Sequence, residues 1–183
     1  MKAKQLLLAA IHPRLPIEGK LPPLGGATGW LNSQPLTAAG LRGKVVLVDF
    51  WTYTCINWLR QLPYVRAWAE KYKDQGLVVL GFPSNDFAQE RGSNQEIAEF
   101  CENTFGVKFP MFAKSSVRGS DANPLFRELA ARTGQAPRWN FHKYLVGRDG
   151  HIADVFPERV EPTDTRVITA IARQLDGAPK VSN

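Results

Sequence analysis

The chain has 183 residues, of which 44% are hydrophobic, enough for one domain whose core needs no metal or disulfide staples. Its 23 basic and 17 acidic residues give a charge of +6, and their scatter excludes the basic clusters of a nucleic-acid-binding surface. No stretch approaches the roughly 20 apolar residues of a membrane span. We therefore expect a soluble protein, cytoplasmic by default, with the bacterial periplasm left open.

The first part of the chain is predicted to be irregular. Residues 12–41 are rich in proline and glycine and have weak periodicity, which allows one hairpin at most. The run from Lys44 to Trp51 is continuously apolar and rich in β-branched residues, as expected for a central strand covered on both faces. We divide the chain into an irregular lead-in, residues 1–40, and one α/β domain, residues 41–183.

Helices and strands alternate in the middle of the chain. After Cys55, apolar residues recur at three- and four-residue spacing, which predicts an amphipathic helix that Pro63 should kink. Residues 77–82 form a second apolar run and are predicted to be a buried strand. Ser93 and Glu96 have the spacing of a capping box, which predicts that a helix begins there and continues to Phe105.

The last third of the chain predicts a helix, a hairpin and a final helix. Asn123 followed by Pro124 is typical of a helix start. Two β-rich runs, residues 143–146 and 152–156, flank a Gly-Arg-Asp-Gly turn, and an amphipathic helix follows over residues 163–175. The order βαβα followed by a hairpin and a helix predicts a mixed sheet with helices on both faces.

Cys55 is the candidate for a reactive group. It follows the end of a predicted buried strand and precedes a predicted helix, where backbone N–H groups and the helix dipole favour an anion. Such a position can lower the pKa of a thiol from its usual value of about 8.5, so that the thiolate is present at neutral pH. The alternative is an unreactive structural cysteine.

The region around Cys55 resembles one branch of the thioredoxin superfamily. Residues from about Leu15 to Gly81 are similar to bacterial redoxin domains of the TlpA and DipZ type, above all in the run GKVVLVDFWTYTCINWLRQLP that begins at Gly43. In those domains the first cysteine of a Cys-x-x-Cys motif stands at the position of Cys55. Here Trp58 replaces the second cysteine, so local dithiol exchange is not available.

The remainder of the chain resembles the glutathione peroxidases. Three runs carry this resemblance, namely GFPSNDFAQE from Gly81, EIAEFCENTFGVKFPMF from Glu96 and PRWNFHKYLV from Pro137. The resemblance implies a thioredoxin-like fold, an α/β class with a central mixed β-sheet and helices on both faces. It also implies that Gln89, Trp139 and Asn140 assist the attacking Cys55. Amide and indole N–H groups suit this role because they can stabilise a thiolate and the oxyanion that leaves.

Cys101 has two interpretations. It stands where some thiol-dependent glutathione peroxidases carry a resolving cysteine, and it also lies on an apolar helix stripe, where a cysteine commonly serves as a small buried hydrophobe. The three histidines have no metal-binding spacing, and we expect no cofactor. In this family a glycine and a threonine normally follow the attacking cysteine, whereas this chain has Ile56 and Trp58.

The sequence therefore predicts a thiol peroxidase. Cys55 would attack hydrogen peroxide or an organic hydroperoxide, become a sulfenic acid and be reset by thioredoxin or glutathione. The alternatives are a single-cysteine redox protein that forms mixed disulfides and a catalytically silent binding module of the same fold. We expect a monomer, because the stretch from Arg127 to Trp139 lacks the insertion that builds the interface of tetrameric glutathione peroxidases.

Overall fold

The computed structural model describes residues 20–24, 29–51, 56–84, 86, 93–138 and 141–177, with the backbone alone for residues 56–59 and 104–105. Within these ranges it contains a sheet of six strands, β1 (Trp30–Leu31), β2 (Val45–Trp51), β3 (Leu77–Pro83), β4 (Met111–Phe112), β5 (Lys143–Val146) and β6 (Ile152–Phe156). Four helices accompany it, α1 (Ile56–Lys71), α2 (Asn94–Phe105), α3 (Pro124–Thr133) and α4 (Thr165–Asp176). None of these helices is both long and apolar enough to cross a membrane.

The sheet has the order β1-β4-β3-β2-β5-β6. Strands β2, β3 and β4 run parallel, whereas β5 is antiparallel to β2 and forms a hairpin with β6. All seven residues of β2 are buried, because this strand is paired on both sides and covered on both faces. The predicted mixed sheet, its central strand and its terminal hairpin are confirmed.

The helices cover both faces of the sheet, as predicted. Residues of α1, α2 and α4 share one apolar cluster with β2, in which Leu62, Cys101 and Ile171 are typical members. Leu125 and Phe126 of α3 belong to the cluster on the other face. The connections from β2 to β3 and from β3 to β4 advance in the same direction, and right-handed crossovers therefore put α1 and α2 on the same face.

Local hydrogen bonds set the helix ends. Ser93 and Glu96 form the predicted capping box, in which Ser93 Oγ accepts from the Glu96 N–H at 3.2 Å and Glu96 Oε2 accepts from the Ser93 N–H at 2.7 Å. The Asn123 side chain caps α3 as expected. Our predicted start of the last helix at Thr163 is wrong by two residues, because Asp164 is the N-cap and accepts from the Arg166 N–H.

The first strand also differs from expectation. Instead of forming a hairpin with a neighbouring segment, Trp30 and Leu31 pair antiparallel with Phe112 and Met111 at the edge of the sheet. The pairing partners are about 80 residues apart in the sequence, so the local pattern of proline and glycine carries no information about it. Proline and glycine predict breaks in structure, not long-range partners.

Gly81 in β3 is required by the ring of Trp51. A Cβ atom at position 81 would overlap the six-membered ring of this buried tryptophan. Gly81→Ala is therefore expected to lower the free energy of unfolding by about 1–3 kcal/mol, the usual cost of overpacking a core. Urea unfolding measures this, with Gly29→Ala as the matched control, because its new Cβ would meet Ala113 at an ordinary 3.5 Å. Equal stability of the two variants would contradict the expectation.

Candidate active site

At one edge of the sheet, β2 and β3 end and β5 begins. Three segments there connect the described residues to residues outside the described ranges. Trp51 is the last residue of β2, Ser84 follows β3, and Phe141 lies two residues before β5. The Ser84 N–H donates to the Trp51 carbonyl at 2.9 Å, and the Phe141 N–H donates to the Phe50 carbonyl at 2.8 Å. These hydrogen bonds hold the two strand exits and the strand entry side by side.

Four of the five predicted site residues belong to the segments that begin or end there. Cys55, Gln89, Trp139 and Asn140 lie outside the described residues. In the sequence, Cys55 stands directly before α1, and Asn140 directly before Phe141. Cys101 is described: it lies in α2, is fully buried and packs in the apolar cluster on the α1 face of the sheet. This burial agrees with a small hydrophobic residue, and its resolving role stays a prediction.

The described residues on either side of the segment that contains Gln89 are hydrogen-bonded to one stretch of chain. The carboxylate of Asp86 accepts from Ser116 Oγ at 2.7 Å and from the Val117 N–H at 2.6 Å. Asn94 Oδ1, at the start of α2, accepts from the Lys114 N–H at 2.7 Å. The described residues on both sides of this segment, Asp86 and Asn94, are therefore anchored to residues 114–117.

A charged pair lies inside the protein beneath α1. Asp49 of β2 and Lys143 of β5 are opposite each other in the antiparallel ladder, and neither side chain is exposed. Lys143 Nζ lies 3.7 Å from Asp49 Oδ1, close enough for an ion pair but too far for a hydrogen bond. Burial raises the pKa of Asp49 to about 6 despite the nearby Lys143, and burial lowers the pKa of Lys143 despite Asp49.

The ammonium group of Lys143 makes its hydrogen bonds elsewhere. It donates to the Phe141 carbonyl at 2.7 Å and to Gln61 Oε1 of α1 at 3.2 Å. Phe141 is buried and has φ 70°, a left-handed conformation that a residue with a Cβ adopts at a cost in free energy. The residue directly after Asn140 is therefore both strained and firmly held.

His142 is another buried titratable group near this edge. Its ring is 2% exposed and lies against Tyr144, with ring centroids 4.9 Å apart. Neither ring nitrogen has a hydrogen-bond partner among the described residues, and the nearest carboxylate oxygen, Glu158 Oε2, is 4.0 Å from Nδ1. Burial, with further contributions from Lys143 and Arg138, lowers the pKa of His142 to about 4.

His142 and Asp49 are expected to change stability with pH in opposite directions. Between pH 7 and pH 5, His142 takes up a proton in the unfolded chain but not in the folded protein, which lowers the free energy of unfolding by about 2 kcal/mol. As the pH falls over the same range, Asp49 takes up a proton in the folded protein but largely not in the unfolded chain. This raises the free energy of unfolding by about 1 kcal/mol.

Two substitutions separate these contributions. His142→Phe keeps a buried ring without titration, and its free energy of unfolding is expected to rise from pH 7 to pH 5. For Asp49→Asn, the free energy of unfolding is expected to fall more steeply from pH 7 to pH 5 than it does for the unmodified protein. Urea unfolding at the two pH values measures both, and parallel pH profiles for the two variants would refute the assignment.

Sequence reasoning missed these buried charges. Asp49 and Lys143 each stand in an otherwise apolar strand, and a charged residue in such a run is rarely buried without a partner. That pattern was visible in the sequence. The left-handed Phe141 had no comparable pattern, because aromatic residues rarely adopt positive φ.

Comparison with known proteins identifies the family. The sequence model of glutathione peroxidase matches residues 28–130, including much of the stretch that resembles the redoxin domains. A glutathione peroxidase of Lactococcus lactis subsp. cremoris is 38% identical over 139 residues, which cover 73% of this chain and 88% of that protein. The glutathione peroxidase-like peroxiredoxin GPX5 of Chlamydomonas reinhardtii is 39% identical over 143 residues, covering 75% and 88%.

The fold is shared with solved structures as well. A thioredoxin-like superfamily protein, SPOA0173, superposes with a TM-score of 0.68 at 20% identity, covering 88% of this chain and 99% of that one, and this similarity concerns the fold alone. The thioredoxin-like fold predicted from the sequence is thus confirmed. The chain belongs to the glutathione peroxidase family and is a thiol-dependent peroxidase.

Proposed function

We propose that Cys55 is the residue that attacks the peroxide, and that Gln89, Trp139 and Asn140 assist it. One observation carries this proposal: the exits of β2 and β3 and the entry to β5 are joined by backbone hydrogen bonds of 2.9 and 2.8 Å at one edge of the sheet. The segments that contain the four residues start or end at this edge. Short segments from adjacent strand ends can bring their side chains together.

Each assisting residue has a chemical task. The amide N–H groups of Gln89 and Asn140 and the indole N–H of Trp139 are hydrogen-bond donors that stabilise the Cys55 thiolate. The same donors can stabilise the negative charge that develops on the leaving oxygen as the O–O bond breaks. Fixed donors in a site shielded from water stabilise such charge without reorganising during the reaction.

The reaction proceeds in two stages. The Cys55 thiolate attacks one oxygen of the peroxide; an S–O bond forms, the O–O bond breaks, and the leaving oxygen takes a proton to become water or an alcohol. A thiol then attacks the resulting sulfenic acid, which releases water and gives a disulfide. A second thiol reduces this disulfide and restores Cys55.

We propose thioredoxin or glutathione as the reductant and a monomer as the working form. The choice of reductant depends on Cys101. If Cys101 resolves the sulfenic acid, the product is an internal Cys55–Cys101 disulfide, the natural substrate of thioredoxin; otherwise glutathione reacts directly. Because Cys101 is fully buried in α2, formation of that disulfide requires local opening of the helix.

The test combines an assay with peptide mapping. Hydrogen peroxide consumption is measured with thioredoxin and with glutathione in turn, and tryptic peptides are analysed after one equivalent of peroxide. Turnover with either thiol and oxidation confined at first to Cys55 are the expected results. A Cys55–Cys101 linked peptide would assign the resolving role, whereas a sulfenic or sulfinic acid beside a reduced Cys101 would refute it. Oxidation elsewhere with Cys55 intact would refute the proposal.

A further inference from the structure

We infer that Lys143 is a positioning residue for Asn140, acting through the carbonyl of Phe141, with its charge stabilised by Asp49. The inference rests on the proposed role of Asn140 in the peroxidase reaction. It assigns a function to a buried ion pair that the reaction steps themselves do not use.

Phe141 is held at both of its peptide groups. Its N–H donates to the Phe50 carbonyl of β2 at 2.8 Å, and its carbonyl accepts from Lys143 Nζ at 2.7 Å. A left-handed conformation at a residue with a Cβ persists only where the surrounding structure enforces it. The two hydrogen bonds supply that enforcement, and together they fix the backbone of the residue that follows Asn140 in the sequence.

The Lys143 ammonium group connects three elements. Besides the Phe141 carbonyl, it contacts Gln61 of α1 at 3.2 Å and Asp49 of β2 at 3.7 Å. Strand β2 and helix α1 are the elements on either side of Cys55 in the chain. One buried group thus links the strand before Cys55, the helix after it and the residue after Asn140.

Asp49 favours the charged form of this ammonium group. Its carboxylate is fully buried and accepts no hydrogen bond from a described residue, so its close contact is the ion pair with Lys143. A hydrogen bond from a charged donor is stronger than one from a neutral amine. The charge on Lys143 therefore strengthens its hold on the Phe141 carbonyl, and the nearby carboxylate offsets the cost of burying that charge.

The pair variant Asp49→Asn with Lys143→Met tests the inference. It removes one charge of each sign, so the net charge is unchanged and no lone charge stays buried. The second-order rate constant for oxidation of Cys55 by hydrogen peroxide is expected to fall about tenfold or more, as misplaced catalytic groups commonly cause. Lys44→Met, at an exposed lysine beside the other end of β2, is the matched control and should keep the rate.

A double-mutant cycle with Asn140→Ala separates positioning from general weakening of the fold. In the Asn140→Ala background, the pair variant is expected to cause no further decrease in rate. The apparent pKa of the Cys55 thiol, from the pH profile of alkylation, should rise in both variants and rise no further when they are combined. Multiplicative losses of rate would overturn the inference.

Two further outcomes are informative. If Asn140→Ala alone leaves the rate unchanged, the proposed role of Asn140 is wrong and the inference falls with it. If the pair variant does not fold, Gln61→Leu takes its place, because it removes one acceptor of the ammonium group at a partly exposed position. Its smaller decrease in rate should likewise vanish in the Asn140→Ala background, and a decrease that persists there would overturn the inference.

Discussion

Cys55→Ser is expected to reduce peroxide turnover by on the order of 10³-fold or more, to the background of the uncatalysed reaction. A serine hydroxyl is not ionised at neutral pH, and an alkoxide oxygen cannot form the sulfenic acid that carries the reaction. The measurement is steady-state consumption of hydrogen peroxide with an excess of reducing thiol. Residual turnover near that of the unmodified protein would exclude Cys55 as the attacking residue.

The other cysteine provides the matched control. Cys101→Ala removes a thiol of the same type from the buried side of α2. Stopped-flow measurement of the first oxidation is expected to show a rapid reaction in Cys101→Ala and none in Cys55→Ser. Rapid oxidation in Cys55→Ser and none in Cys101→Ala would reverse the assignment of the two cysteines.

Lys143→Met alone is expected to lower the free energy of unfolding by about 3–5 kcal/mol at pH 7, the usual cost of leaving a buried charge without its partner. The remaining Asp49 carboxylate is fully buried and has no hydrogen-bond donor among the described residues. The substitution also deprives the buried Phe141 carbonyl of its 2.7 Å hydrogen bond from Lys143. Urea unfolding at pH 7 measures the loss.

The pair variant is the control for this prediction. Adding Asp49→Asn to Lys143→Met removes the unpaired anion and is expected to restore most of the lost stability, because a neutral pair carries no charge-burial cost. Lower pH should also reduce the loss. The difference in free energy of unfolding between Lys143→Met and the unmodified protein should become smaller from pH 7 to pH 5, because Asp49 becomes protonated. Equal stability of the single and pair variants would contradict the argument.

The regular elements were predictable from the sequence because their determinants are local. The apolar run of β2, the capping box of Ser93 and Glu96 and the Asn123 cap each depend on residues within a few positions. The pairing of Asp49 with Lys143 depends instead on the register between β2 and β5, two strands with 91 residues between them in the sequence. Sequence periodicity shows that such strands exist but not which residues face each other.

The residues of the candidate site also differ in how far the sequence alone predicts them. Cys55 was found from its place between a strand and a helix, whereas Gln89, Trp139 and Asn140 came from family resemblance, and all four stay predictions. Asp49 and Lys143 were detectable as charges in apolar strands, but only the folded geometry shows that Lys143 binds the Phe141 carbonyl. Physical reasoning from sequence identifies reactive groups more readily than it identifies the groups that position them.

The short first strand has a consequence for self-association. An uncovered sheet edge can act as a template on which another chain adds a strand, a common route to aggregation. Strand β1 forms one edge but is only two residues long, and Asn32 directly after it turns the backbone away with φ 62°. The Asn32 side chain also donates to the Val107 carbonyl at 3.2 Å, which fixes this turn. We therefore expect this edge to resist intermolecular strand addition.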